Sequence, residues 1–558
     1  MSEQAPVDPS ASSASTEQSS SEQEKQKKAG PSFERGFRFW IIIATLCVIG
    51  ILSALENTVV TTSLPHIVTE LNMGGNYIWV TNVFFLTSAA VQPLFGQLAN
   101  IFGRRWITLV IVSLFTLGSG ICGGAHNGAM LIAGRAVQGM GSGGINMIVD
   151  VIVSDLMPLR ERGNYMAFVL LVYFVGTALG PWIGGAIVDN STWRWVFYIN
   201  LPVGGVSLAM IFFFLHVRSN KEMSFLQKIR RIDYIGNTIL IASTVSVLFA
   251  LTYGGTKYDW SSWHILVSLI LGLVGLLIFV ALENSPWIRE PVVSPRLFGN
   301  RTSATVFAAT FLNSALLYWV MFFLPVYFQA VLGASAERSG VQVLPIIVVA
   351  VPAAVVAVLI LAKFGRYKPL HLIGFAVCTI GLGLFTLFDR NSTIAEWVIF
   401  QMIAGGGSGF VLNTLLPACQ TGMAESDQAA ATATWSFVRS FGNIWGVAIP
   451  AAIFNNRFEQ LSGRIPDAQV REPLSRGRTY ESASASFIQS FSPALRDDII
   501  GVYVDALKRV WQISIVFSGV SFLLVFLEKE IKLRTELETE YGLEEKKAEQ
   551  EDVEQAKQ

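Results

Sequence analysis

Two charged residues stand inside long apolar runs, and they are where chemistry could be done. Glu56 lies in the run that starts at Trp40, and Arg135 in the run that starts at Ala129. Charge is costly to place in hydrocarbon, so an ionisable residue at membrane depth marks an ion or substrate path by default. A carboxyl group in a low-dielectric site can hold a proton near neutral pH and give it up when a cation comes close. Glu56 is the only carboxylate well inside an apolar run in the first half of the chain. It lies sixteen residues beyond Trp40, or about 24 Å of helix at about 1.5 Å per residue. Arg135 comes from the opposite side, six residues in from Ala129, which leaves it about 21 Å from the far edge of a core about 30 Å thick. The two depths agree. Asp150 and Asp155 end the Arg135 run and are expected to pair with loop arginines such as Arg104, Arg105 or Arg162. Arg439 is a further intramembrane charge, and Glu283 and Glu290 flank a loop where solvent would hold them.

The elements that must position these residues are helices. Of 558 residues, 52% are apolar and 14% charged, against roughly 25% charged in an ordinary soluble protein. Apolar runs of membrane length recur from Trp40 to Leu527, which makes the chain an all-α polytopic membrane protein. The runs predict fourteen spans, at 39–61, 78–99, 106–124, 129–153, 165–188, 195–217, 234–253, 263–282, 303–329, 340–362, 369–388, 394–418, 431–454 and 507–527. Even-numbered connections hold fifteen Lys and Arg, and the short odd-numbered ones hold four, Arg194, Lys257, Arg338 and Arg390. By the positive-inside rule the even connections and both termini are cytosolic. Residues 1–36 are rich in Ser, Glu, Gln and Lys and read as a disordered tail. Residues 531–558 read as a second charged cytosolic tail, and 455–506 as a long external loop. The sequons at Asn190 and Asn391 fall outside and are glycosylation candidates. Lys and Arg balance Asp and Glu at 40 each, and no basic block points to nucleic acid. The four cysteines lie singly in apolar runs and the five histidines are scattered, so neither a disulfide framework nor a metal or cofactor site is signalled.

The run from Tyr165 to Val188 contains Gly176-Thr-Ala-Leu-Gly180-Pro181-Trp-Ile-Gly184-Gly185. Glycines four apart share a helix face and let a neighbour approach backbone to backbone. Pro181 removes a helical N–H and is expected to bend the helix. A repeat is also visible. Phe102-Gly103-Arg104-Arg105 matches Phe364-Gly365-Arg366-Tyr367, Leu64-Pro65 matches Leu324-Pro325, and the glycines at 139–143 match those at 405–409, at offsets of 262, 260 and 266. The matches pair helices 1–6 (37–217) with helices 9–14 (303–530) and leave two helices inserted in 218–302. Gln401 stands where the repeat would place a counterpart of Arg135.

These stretches resemble the fourteen-spanner drug:proton antiporters of the major facilitator superfamily, a family common in fungi. The ten residues Gly176–Gly185 look like its antiporter motif, and Leu55-Glu56-Asn-Thr-Val-Val-Thr-Thr-Ser-Leu-Pro65 like its helix 1 motif. Gly96-Gln-Leu-Ala-Asn100-Ile-Phe-Gly103-Arg104-Arg105 looks like the gating-loop motif, with Asn100 in place of the usual Asp. Arg135-Ala-Val-Gln-Gly139 looks like the helix 4 motif, and Trp193-Arg-Trp-Val-Phe-Tyr-Ile-Asn-Leu-Pro-Val-Gly204 is characteristic of fourteen-spanners. The resemblance implies the major facilitator fold, with two six-helix halves plus two inserted helices, and Glu56 and Arg135 within electrostatic reach as a proton-coupling pair. It implies a monomer in the lipid bilayer that exports hydrophobic or amphipathic organic compounds, such as a drug, fungicide or mycotoxin, in exchange for protons at the plasma membrane. A siderophore or amino-acid transporter of the vacuolar membrane is the alternative. Substrate contacts are expected among Asn146, Tyr173, Asn313, Tyr318, Trp319, Gln401, Asn413 and Trp435. No enzyme signature is present.

Overall fold

The computed structural model describes residues 37–71, 73, 78–157, 159–215, 225–254, 258–286, 288, 291–467, 471, 474, 483, 485–531 and 533. The expected tail 1–36, all of the expected tail 531–558 except residues 531 and 533, and Glu290 lie outside them. In chain order the first set of helices is α1 Phe37–Glu70, α2 Ile78–Ala90, α3 Gln92–Phe102, α4 Arg104–Gly123, α5 Gly128–Leu156, α6 Leu159–Asn190, α7 Trp195–Tyr198 and α8 Asn200–Phe214. Next come α9 Phe225–Arg230, α10 Tyr234–Tyr253, α11 Trp263–Glu283 and α12 Arg296–Gly299. The second set is α13 Arg301–Val326, α14 Ala336–Phe364, α15 Lys368–Leu384, α16 Ile394–Leu412, α17 Leu415–Gln420, α18 Glu425–Leu461, α19 Ala485–Gln489 and α20 Pro493–Val525. Among the described residues, twelve segments are long and apolar enough to cross a membrane, and Trp79–Ala90 is a shorter apolar helix.

Several boundaries differ from expectation for identifiable reasons. The span at 78–99 is broken at Val91. Pro93 sits in the first turn of α3, and it has no N–H to continue the ladder to Ala89. Helix α1 runs past Leu64-Pro65 to Glu70, and α6 runs without interruption through position 181. Helix α18 reaches Leu461 and α20 starts at Pro493, so both extend into the loop expected over 455–506. Polar residues such as Arg496, Asp497 and Asp498 end an apolar run, but they do not end a helix that continues into water.

The glycine-rich runs decide how these helices pack. A Cβ on Gly139 would stand 2.4 Å from the Phe84 carbonyl oxygen, and one on Gly143 2.0 Å from that of Ser88. On the other face of α5, a Cβ on Gly141 would stand 2.4 Å from the Phe115 nitrogen. Real side chains do not fit there, so α5 lies backbone to backbone between α2 and α4. Helix α16 repeats the arrangement between α14 and α15. Gly405 and Gly409 meet the Ile346 and Ala350 oxygens at 2.2 Å each, and Gly407 meets the Cys378 nitrogen at 2.3 Å. Both central helices are capped at the start, α5 by the Asn127 side chain on Met130 N–H and α16 by a Thr393–Glu396 capping box. α1 packs on α6, and α13 on α18, in the same relation. The inserted α10 and α11 pack on each other, and Leu266, Ile270, Leu271 and Leu277 of α11 point outward uncovered. Lipid tails can solvate such a face, whereas water cannot do so cheaply.

Candidate functional site

Glu56 and Arg135 meet inside the first set. Arg135 Nη1 lies 2.5 Å from Glu56 Oε1, and the two side chains are 2% and 0% exposed. The burial is tolerable because both carboxylate oxygens and the guanidinium Nε and Nη1 have partners. Asn200 Nδ2 donates to the second carboxylate oxygen, Oε2, at 2.6 Å. Arg135 also donates to Gln138 Oε1 at 2.7 Å and, through Nε, to the Val80 carbonyl at 2.9 Å. Gln138 donates onward to Ser119 at 2.8 Å, and the Phe84 ring lies 4.1 Å from the guanidinium carbon. Five helices, α1, α2, α4, α5 and α8, thus converge on one carboxylate–guanidinium pair.

Sequence reasoning placed the two charges at one depth but did not single out their neutral partners. Gln138 and Asn200 both sit inside motifs already noticed, three residues after Arg135 and at the start of α8. Their amides give hydrogen bonds without adding charge, so a search for ionisable groups passes over them.

The glycine seam of α6 lies beside this pair. A Cβ on Gly176 would stand 3.1 Å from the Ala54 Cβ and 3.1 Å from the Ile51 oxygen on α1. Gly180 and Gly184 are buried on the same helix. The side-chain positions of Pro181 and Gly185 lie outside the described residues.

At the far end of the first set, Gly103 takes φ 89° between α3 and α4, a turn that favours glycine. The turn lets Arg104 fold inward, where Nε donates to Asp155 Oδ2 at 2.6 Å and Nη1 to the Ala99 oxygen at 2.9 Å. Arg105 instead donates to the Phe212 oxygen at 2.5 Å. At this same end the two sets touch. A Cβ on Gly96 would stand 2.3 Å from the Ala433 Cβ, Gln92 Nε2 donates to Ser440 at 3.0 Å, and Gln420 Nε2 donates to Ser154 at 3.4 Å. Asp150 was expected to pair with a loop arginine, and its partner is Arg439 of α18, at 3.8 Å, with Ser436 donating at 3.4 Å. The loop arginine is taken by Asp155, which leaves Asp150 facing the second set. Glu283 was expected in solvent but is 5% exposed and accepts from Val292 N–H at 3.3 Å, because the chain after α11 folds back over it.

The substrate candidates divide. Asn146 accepts from Ser53 at 3.4 Å, and the Tyr318 hydroxyl lies in electrostatic reach of Tyr173 and Arg439. Asn313 is buried at 4% exposure, Asn413 caps the end of α16, and Trp435 donates to Thr310 at 2.9 Å. Trp319 and Gln401 lie buried within the second set. Trp319 is fully buried in the second set's core against Phe517, and Gln401 Nε2 is held by the Gln342 and Trp397 oxygens at 2.9 and 3.0 Å. Asn190 and Asn391 are exposed, with the Asn190 amide engaged on the Ala186 oxygen at 2.9 Å.

Residues 46–447 match the Major Facilitator Superfamily. The chain belongs to that superfamily. It is 51% identical to the MFS-type transporter TwmF of Talaromyces wortmannii, over 96% of this chain and 98% of that protein. It is 47% identical to the MFS-type efflux pump LUC4 of a Fusarium species, over 92% and 91% of the two chains. The solved proton:xylose symporter XylE has the same fold, with a TM-score of 0.53 at 15% identity over 89% of this chain and 97% of that one. This superfamily member is thus a multi-pass membrane transporter with efflux pumps among its relatives.

Proposed function

We propose that the chain exports hydrophobic or amphipathic organic compounds in exchange for protons, by alternating access. The observation that carries this reading is the fully buried Glu56, held by Arg135 and Asn200 in the middle of α1. A carboxylate there can be charged while Arg135 stays close and can take a proton when that contact loosens. Gly176 brings α6 against α1 within one turn of Glu56, so sliding along this seam would disturb the pair. The candidate contacts, Asn146, Tyr173, Asn313, Tyr318, Trp319, Gln401, Asn413 and Trp435, are neutral and all aromatic or amide, which suits an organic molecule with few charges. The fourteen spans, the division into 37–217, 218–302 and 303–530, cytosolic termini and residence in the plasma membrane belong to the same proposal. With that topology, the contacts between the two sets at the Arg104 end close the cytosolic face.

The test is accumulation of a panel of fluorescent and fungicidal compounds in exporter-deleted yeast expressing the full chain, with and without a protonophore. The expected result is lower accumulation that collapses when the protonophore is added. Higher accumulation in the expressing cells would mean uptake and would replace this reading with a nutrient or siderophore porter.

A further inference from the structure

Helix α5 carries Gln138, Ser142, Asn146, Asp150 and Ser154, one polar residue every fourth position. Each step rises about 6 Å and turns about 40° around the helix, so the polar line winds as it descends. Its upper end, Gln138, touches Arg135 and Ser119 inside the first set. Its lower end, Asp150 and Ser154, meets Arg439, Ser436 and Gln420 of the second set. Between them the hydroxyls of Ser53 and Ser142 lie 2.7 Å apart, and Ser53 donates to Asn146 at 3.4 Å. Ser53 is one turn below Glu56 on α1. Two linked hydroxyls and an amide therefore stand between one buried carboxylate and another, with a gap at each end.

The two carboxylates differ in who holds their arginine. Glu56 and Arg135 are both in the first set, on α1 and α5. Asp150 is in the first set and Arg439 in the second, on α18. Any motion that parts the two sets at this end takes the guanidinium away from Asp150. Among the described residues, Arg439 is the charged group facing Asp150, while Asp155, five residues further on, is held by Arg104.

We propose that Asp150 is a second proton site, through which the proton carried by Glu56 leaves the protein. The inference rests on the reading of Glu56 as the coupling group. When the sets part at the Arg104 end, Asp150 loses its counter-ion and becomes able to accept a proton. Glu56 in its acid form gives up its proton along Ser53 and Ser142, with water filling the steps. Glu56 becomes a carboxylate held by Arg135, and Asp150 becomes the acid. While the sets are parted the proton passes from Asp150 to water on that side, and Arg439 returns to the carboxylate as they close. One proton moves and no other bond changes. Proton acceptance at Asp150 is thereby tied to the conformation in which the proton can leave.

The experiment is infrared difference titration of the protonated-carboxyl C=O stretch, on the full chain in lipid nanodiscs, with the proton itself as the probe. Glu56→Gln and Asp150→Asn are each expected to remove one band, and Asp150→Glu to restore the second. Arg439→Gln should shift the Asp150 band by about one pH unit or more and leave the Glu56 band in place. Ser142→Ala should slow proton exchange after a pH jump at least about tenfold. Tryptophan-fluorescence melting checks that each variant is folded. An unchanged carboxyl region in folded Asp150→Asn, or an unmoved band in Arg439→Gln, overturns the proposal. If Glu56→Gln removes no band while Asp150→Asn does, the coupling role of Glu56 falls and the relay falls with it.

Discussion

At the level of Arg135 the two helix sets are built on one plan and carry different side chains. Arg135 Nε donates to the Val80 oxygen at 2.9 Å, and Gln401, 266 residues later, donates to the Gln342 oxygen at the same distance, 2.9 Å. The glycines around them meet the same backbone atoms of the same two neighbours in each set. The repeated backbone bond is therefore a packing device, made equally well by a cation or an amide. What the second set lacks is charge. At the offset of the Leu-Pro pair, Leu316, 3% exposed, stands where Glu56 stands in the first set. The comparison separates what holds the fold from what does the proposed chemistry.

The largest effect should come from the part that is not repeated. Glu56→Gln keeps size and hydrogen-bonding capacity and removes only the titratable proton. Proton-driven efflux should fall to the level of cells without the transporter, at unchanged protein level. Gln401→Leu, its nearest test in the second set, should leave coupling intact and lower only the melting temperature. Normal drug resistance in the Glu56→Gln strain would erase the distinction between the two sets.

The ion pair at the loop motif is the next contrast. Arg104 is buried and holds Asp155 at 2.6 Å, whereas its repeat partner Arg366 is 70% exposed in its side chain and reaches Glu530 at 3.6 Å. Removing one member of a buried pair leaves an uncompensated charge, which costs about 3–5 kcal/mol. Arg104→Ala should accordingly lower the denaturation midpoint of the purified protein steeply, and a loss below about 1 kcal/mol would mean that water reaches Asp155.

These contrasts also show how much the sequence could say. Depth along a helix follows from residue count, so chain position put Glu56 and Arg135 at one level, and the family resemblance put their helices side by side. The glycine repeats were legible because close packing admits almost nothing else. The Asp150–Arg439 contact was not legible, since it joins two sets whose relative placement no local pattern encodes. Glu283 was misread because burial there depends on the chain folding back to offer Val292 N–H. Helix ends were misread where helices outlast their apolar runs, as at Pro493.

Gly143→Ala and Gly409→Ala test the shared plan directly. Each added methyl would meet a carbonyl oxygen, at 2.0 Å from Ser88 and 2.2 Å from Ala350. The helices must move apart, at about 1–3 kcal/mol for such overpacking. Because the two sites are equivalent, the two losses in thermal stability should agree within about 0.5 kcal/mol and add in the double variant. A much larger loss at Gly143 would mean that α5 tolerates less adjustment because it also carries Arg135.

The smallest effect is the most telling about the second set. Thr421 occupies the place that Asp155 has in the first set, so the position equivalent to Asp155 offers Arg366 no acid. The chain after α20 supplies one instead. Glu530 reaches Arg366, Glu528 Oε2 lies 2.9 Å from His371 Nδ1 with both side chains buried, and Lys529 N–H donates to Thr302 at 2.9 Å. Leu533 N–H donates to the Gly365 oxygen at 3.3 Å. With so many other ties, Arg366→Ala should change stability by less than about 1 kcal/mol. Glu528→Ala, which strands the buried His371, should cost clearly more in the same melting assay. Equal losses would mean that the surface pair, and not the buried one, replaces the missing acid.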